Sequence, residues 1–112
     1  MILATENLSN GVTCAALSGR LDIDGAQSVD MKMNILAGKS GALVIDLAEV
    51  TYLASMGLRT LITCARTIAA KGGKIAIARP QENVLKILNI SGTHEIIPIH
   101  GSLEHAVEAV SG

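Results

Sequence analysis

The sequence predicts an α/β fold: one mixed β-sheet of about five strands with about four helices packed on it. Three observations carry that expectation. Short runs rich in aliphatic and β-branched residues alternate with longer stretches whose apolar residues recur at helical spacing. The first two runs are separated by Asn10-Gly11, a pair that tolerates positive φ and marks a hairpin. After that hairpin the order is α-β-α-β-α-β-α, which implies parallel strands with right-handed crossovers.

Residues 2 to 8 and 12 to 18 read as the hairpin strands, with Gly19 ending the second. Asp24 opens the first helix, and Gln27, three residues on, completes a capping-box pattern. Ala26, Val29, Met33 and Leu36 form its apolar face, and Gly38 stands where a C-terminal cap belongs. ALVIDL, residues 42 to 47, is a continuous apolar run expected to be a strand buried on both faces. A second helix follows Ser55, with Leu58, Leu61, Ile62, Ala65, Ile68 and Ala69 on one side and Arg59, Thr63 and Arg66 on the other. Gly72-Gly73 stops it, and KIAIA, residues 74 to 78, is another buried strand. Pro80 opens a short helix containing Val84, Leu85, Ile87 and Leu88, closed by Ser91-Gly92. EIIPI, residues 95 to 99, is a weaker strand that Pro98 assigns to an edge. Ser102 caps a last helix over residues 103 to 110, with Glu104 favourable against the dipole of its first turn.

The length of 112 residues suits one domain, residues 1–112, with no linker, repeat or low-complexity segment. The chain has one Tyr and neither Phe nor Trp, so the core is aliphatic and no stacking platform for single-stranded nucleic acid is present. The net charge of −1 is scattered, without the basic stripe that direct binding of DNA or RNA requires. Cys14 and Cys64 sit inside apolar segments and read as small core residues of a reducing compartment. The start, MILATENLSN, lacks the basic and apolar regions of a signal peptide, and no apolar run reaches the roughly 20 residues that span a bilayer. A cytoplasmic protein without membrane insertion is expected. His94, His100 and His105 lack the i, i+4 spacing of a helical metal site and read as solvated surface residues. No phosphate-cradling glycine motif occurs, so neither cofactor nor metal is expected.

The stretch YLASMGLRTL, residues 52 to 61, places Ser55 in an otherwise apolar run. A nucleophilic serine needs a base within reach and an oxyanion hole, and the local sequence LASMG is not a nucleophile elbow. A small hydrolase using Ser55 therefore ranks low. Asp46, at the end of a buried strand, occupies the place of a phospho-accepting aspartate. The acidic pair and the lysine of a receiver domain are missing, and a carboxylate bonding local backbone is the better reading. For Ser55 itself, an N-cap serine accounts for its type and place with no function at all. That reading leaves Gly57 unexplained. Glycine lowers helix propensity in the first turn by up to about 1 kcal/mol, and an exposed glycine there would let another protein approach the hydroxyl.

Three segments carry a family resemblance: LSGRLD (residues 17 to 22), VIDLAEVTYLASMGLRTLI (residues 44 to 62) and VLKILNISG (residues 84 to 92). In order and spacing they resemble the STAS-domain family, in particular its stand-alone bacterial anti-sigma factor antagonists, over nearly the whole chain. The resemblance implies a non-enzymatic, protein-binding function. The unphosphorylated antagonist would bind an anti-sigma factor that is also a GHKL-type serine kinase. Phosphorylation would release it, and a phosphoserine phosphatase would reset it. Ser55 matches the phospho-accepting serine of the family's Asp-Ser-Ser-Gly motif, Gly57 its glycine, and Asp22 its loop aspartate. Asp22, Ser55, Met56, Gly57, Arg59 and Thr63 are the expected partner-binding residues. Ala54 stands where the family often has aspartate, and Met56 where a second serine is common. Arg59 reads otherwise as a solvated surface charge. The alternative is a STAS scaffold or transporter-accessory subunit without a phosphorylation switch.

Overall fold

The computed structural model describes residues 1–111, Ser9 through its backbone alone; Gly112 lies outside the described residues. The chain begins with an antiparallel hairpin of β1 (Ile2–Asn7) and β2 (Thr13–Leu21), in register from Ile2 opposite Ser18 to Asn7 opposite Thr13. Between them, Asn10 and Gly11 take φ of 67° and 74° in a 3-10 turn over Ser9–Gly11. Gly19 does not end β2. It takes φ of 109° beside a bulge, and the strand runs on to Leu21.

α1 (Ile23–Lys39) starts ahead of Asp24. Asp22 is its N-cap, and Asp22 Oδ1 accepts from the Gly25 N–H at 2.9 Å, so the Asp24–Gln27 pattern is not what caps the helix. Gly38 lies inside α1 and not at its end. A left-handed glycine is unnecessary there because Lys71 Nζ donates to the carbonyls of Ala37, Gly38 and Ser40 at 2.7, 2.7 and 2.9 Å. These include carbonyls that a helix end leaves without partners.

β3 (Ala42–Leu53) is twice as long as its apolar run and pairs with the extended end of β2, Leu21 opposite Leu53. α2 (Ser55–Ala70), β4 (Lys74–Ala78) and α3 (Glu82–Ile90) follow. Pro80 precedes α3 without opening it; Gln81 is the N-cap. The expected strand over residues 95 to 99 is mostly absent. Thr93–Glu95 form a 3-10 turn, the Ile97 N–H turns back to the Thr93 carbonyl at 2.8 Å, and Ile97 is buried. Pro98 offers no N–H to a ladder. Only β5 (Ile99–His100) pairs with β4. α4 (Leu103–Val110) closes the chain, capped by Ser102 accepting from the His105 N–H at 3.2 Å.

The strands lie in the order β1-β2-β3-β4-β5; β1 is antiparallel to β2 and the remaining pairs are parallel. Residues of α1, α2 and α3 join the main core with Leu17, Leu43 and Ile45 of the sheet. α4 covers the other face, where Ala106 and Val110 meet Val44, Ala76 and Ala78. Cys14 and Cys64 are buried free thiols, and burial pushes the Cys64 thiol up to about 11. The buried side of α2 is rotated from the expected stripe: Gly57, Thr60, Leu61, Cys64, Ala65 and Ile68 are inside, and Ala69 is exposed. Small residues let α1 approach closely. There Thr60 Oγ1 donates to Asp30 Oδ1 at 2.8 Å, and Cys64 Sγ lies 3.7 Å from the Met33 carbonyl. Asp46 does bond local backbone, accepting from the Ala48 N–H at 3.1 Å, but it also pairs with Arg79, which reaches it from φ of 54°. His94 and His105 are exposed, whereas His100 is half-buried with an enclosed, unpartnered Nε2.

Candidate functional site

Two helices begin side by side at one end of the sheet. β2 and β3 are parallel neighbours that end opposite each other, and the Ala54 N–H donates to the Leu21 carbonyl at 3.0 Å. Asp22 follows the end of β2 directly and Ser55 follows that of β3 after Ala54, so the structure brings them to the same end of the sheet.

At the first start, Asp22 holds the N-terminus of α1 by the Gly25 hydrogen bond. That bond, with help from the Arg20 guanidinium at 3.4 Å, holds the Asp22 carboxyl below the usual carboxylate range. Arg20 also lies over the Tyr52 ring, its guanidinium carbon 4.3 Å from the centroid, a cation–π geometry. Arg20 and Tyr52 are cross-strand partners on β2 and β3. The sequence reading missed both. Arg20 lies inside LSGRLD and Tyr52 is the chain's one aromatic residue, which are the signals that point to them.

At the second start, Ser55 is not the N-cap. Ala54 is: its backbone is extended and its carbonyl accepts from the Leu58 N–H at 3.0 Å. Ser55 is thus the first residue of α2, exposed, and its hydroxyl makes no hydrogen bond among the described residues. The Ala54 side chain accepts nothing, so the first-turn N–H groups lack a side-chain partner.

Gly57 is buried, contrary to the expectation of an exposed glycine that admits a partner. A Cβ there would meet the Leu21 carbonyl oxygen and Leu21 Cγ at 2.6 Å and Leu53 Cδ1 at 2.8 Å. The glycine lets the helix start lie on the strand ends, and it is not part of the surface. Met56 is half-buried against the main core, Arg59 is exposed without an ion pair among the described residues, and Thr63 is half-buried. A groove of about 680 Å³ adjoins this surface, between Tyr52 and Leu53 on one side and Asn83, Lys86 and Ile87 on the other. No helix among the described residues is long and apolar enough to cross a membrane.

The mixed sheet, with the start of α2 held against the end of the neighbouring strand β2, agrees with a family match: the chain belongs to the STAS domain family, whose model matches residues 6–106. Its relatives narrow the likeness. The anti-sigma F factor antagonist of Paenibacillus polymyxa is 29% identical over 99 residues, covering 87% of this chain and 85% of that protein. The anti-sigma-B factor antagonist of Bacillus subtilis (strain 168) is 26% identical over 92 residues, covering 82% of this chain and 84% of that one. Among solved structures, the Bacillus antagonist SpoIIAA shares the fold in both its forms. The TM-score is 0.80 unphosphorylated and 0.74 phosphorylated, at 17% identity over 97% of this chain and 96% and 99% of those chains.

Proposed function

We propose that the protein is an anti-sigma factor antagonist of a partner-switching pathway, and that Ser55 is its switch. The observation that carries this reading is the exposed, unbonded Ser55 hydroxyl at a helix start with no side-chain cap, next to Asp22. Unmodified, the surface around Asp22, Ser55, Met56 and Arg59 binds an anti-sigma factor that is also a GHKL-type serine kinase. Phosphorylated, it lets go, and a phosphoserine phosphatase restores it.

The physics of release is local. A phosphate adds roughly −1.5 to −2 charges. Within the monomer that dianion meets free N–H groups and the positive end of the α2 dipole, which stabilises it. At the interface it must be desolvated or repelled. The departure at Ala54 sharpens the contrast between states. With alanine as the N-cap, α2 has no capping carboxylate of its own before modification; the neighbouring Asp22 is engaged at the start of α1, so the phosphate is the first anion offered to the first-turn N–H groups of α2. The departure at Met56 leaves Ser55 as the sole hydroxyl of the motif.

The test is incubation with the anti-sigma factor kinase and ATP, followed by intact mass. Wild type gains one phosphate and Ser55→Ala gains none. A phosphate on Ser55→Ala moves the acceptor elsewhere. Unmodified wild type beside an active kinase leaves the scaffold reading, which the loss of the family's aspartate at position 54 favours.

A further inference from the structure

The two edges of the sheet are not alike. β5 is two residues long and follows Pro98, so it offers little to another strand. β1 is six residues long, pairs with β2 on one side only, and carries no proline, lysine or bulge along its register. These are among the devices by which edges are ordinarily closed to further pairing; the one charge on β1 is Glu6. Beside the free edge lies a groove of about 260 Å³ between β1 and α1, lined by Leu3, Thr5, Lys32, Ile35, Leu36 and Lys39. Ile35 is 58% exposed and lies beside the buried stripe of α1, so it offers an apolar contact within the groove. Lys32 and Lys39 lie on the same helical face, about one turn to either side of Ile35, and neither makes an ion pair among the described residues.

We propose that the β1 edge is a docking site for an extended acidic peptide segment of a partner protein, added to the sheet as a sixth strand. The unpaired backbone of β1 recognises the partner's backbone, as in strand addition generally. Alternate side chains of the added strand then face α1. An apolar side chain covers Ile35 and Leu3, and acidic side chains two positions to either side reach Lys32 and Lys39. Those outer positions lie about 13 Å apart on a strand, against about 10 Å between the two lysine Cα atoms on the helix. Lysine side chains span the difference.

A second copy of this chain fits less well. Pairing β1 with itself about a two-fold axis sets Lys32 and Lys39 beside their own counterparts, and no acidic residue lines the groove. Glu6, the one acid of β1, is two and four residues from Ala4 and Ile2, and so lies on the opposite face from Leu3 and Thr5.

The experiment uses the whole chain and a capped probe peptide, Ser-Thr-Glu-Thr-Ile-Thr-Glu-Thr-Ser, with a control in which lysine replaces both glutamates. Amide chemical shifts and hydrogen exchange are followed on titration. The acidic peptide is expected to shift and protect the amides of Ile2–Asn7 and to shift those around Ile35, and the basic control is expected to do neither. Lys32→Gln/Lys39→Gln weakens binding about tenfold, the scale of two surface ion pairs, and Lys32→Glu/Lys39→Glu reverses the peptide preference. Both substitutions are at exposed positions, and thermal unfolding checks that the variants fold. The proposal is overturned if the acidic peptide does not bind, if its shifts map away from β1, or if charge reversal leaves binding unchanged. A dimer in sedimentation whose Ile2–Asn7 amides are protected without peptide also overturns it.

Discussion

The starts of α1 and α2 are built alike and finished differently. Each follows a parallel strand through one extended residue, Asp22 before α1 and Ala54 before α2. Each carries a buried glycine at its third position, Gly25 and Gly57, pressed onto strand backbone. In α1 the extended residue is a carboxylate that accepts the Gly25 N–H. In α2 it is a methyl group, and no side chain among the described residues takes the corresponding role. One helix start is thus electrostatically complete, and the other is open to an anion supplied from outside. The nearest hydroxyl to that opening is Ser55. A new charge would act at the start of α2, and a modification there need not disturb the fold.

The largest effect expected is at the glycines, where the two starts should fail together. A Cβ on Gly25 would lie 2.1 Å from the Arg20 carbonyl oxygen, and one on Gly57 would lie 2.6 Å from that of Leu21. Gly25→Ala should destabilise by about 3 kcal/mol or more, since backbone must move. Gly57→Ala should cost about 2 kcal/mol, part of the clash being with side chains and part being offset by alanine's helix propensity. Urea unfolding midpoints measure both. If Gly57→Ala is neutral, that glycine serves something other than close approach.

Next in size is Ala54→Asp, which gives α2 the cap that α1 already has. It should stabilise the protein by about 1 kcal/mol, read as a rise in the thermal midpoint. It should also lessen the electrostatic difference a phosphate makes, because an anion would already be present.

The smallest effect is on pH dependence. The Gly25 and Arg20 hydrogen bonds lower the Asp22 pKa in the folded state. The stability this confers is present above the unfolded value of about 3.9 and is lost as pH falls through the folded value. Asp22→Asn keeps a capping side chain and removes the titration. The advantage of wild type over Asp22→Asn at neutral pH should therefore narrow on acidification below about pH 4. A constant gap across that range would mean that the carboxylate's charge does not contribute.

Much of this surface was legible in the sequence. The apolar stripe after Ser55 placed the serine at a helix start, and Ser102 and the Asn10-Gly11 pair fixed their elements closely. What stayed hidden depended on tertiary contacts. Asp22 and Asp24 are both able to cap, and only the end of β2 selects Asp22. Glycine carries no hydropathy signal, so Gly57 could not be told from an exposed residue until Leu21 was seen beneath it. The Arg20–Tyr52 pair was unreadable because the β2–β3 register slips twice between Thr13–Leu43 and Arg20–Tyr52. Thr60 and Cys64 broke the expected stripe of α2 because the close helix contact there favours small side chains over apolar ones.

Under the proposed function, negative charge at the start of α2 governs partner binding without unfolding the protein. Titration calorimetry of the anti-sigma factor into unmodified protein and into protein with phosphoserine encoded at position 55 tests it most directly, with thermal unfolding of both. The expected result is a loss of affinity of about a hundredfold or more, the scale of uncompensated charge at an interface, with the thermal midpoint unchanged or raised. Ser55→Asp should fall between the two forms. Equal affinities for the two forms, at equal stability, would mean that charge at this helix start does not control binding.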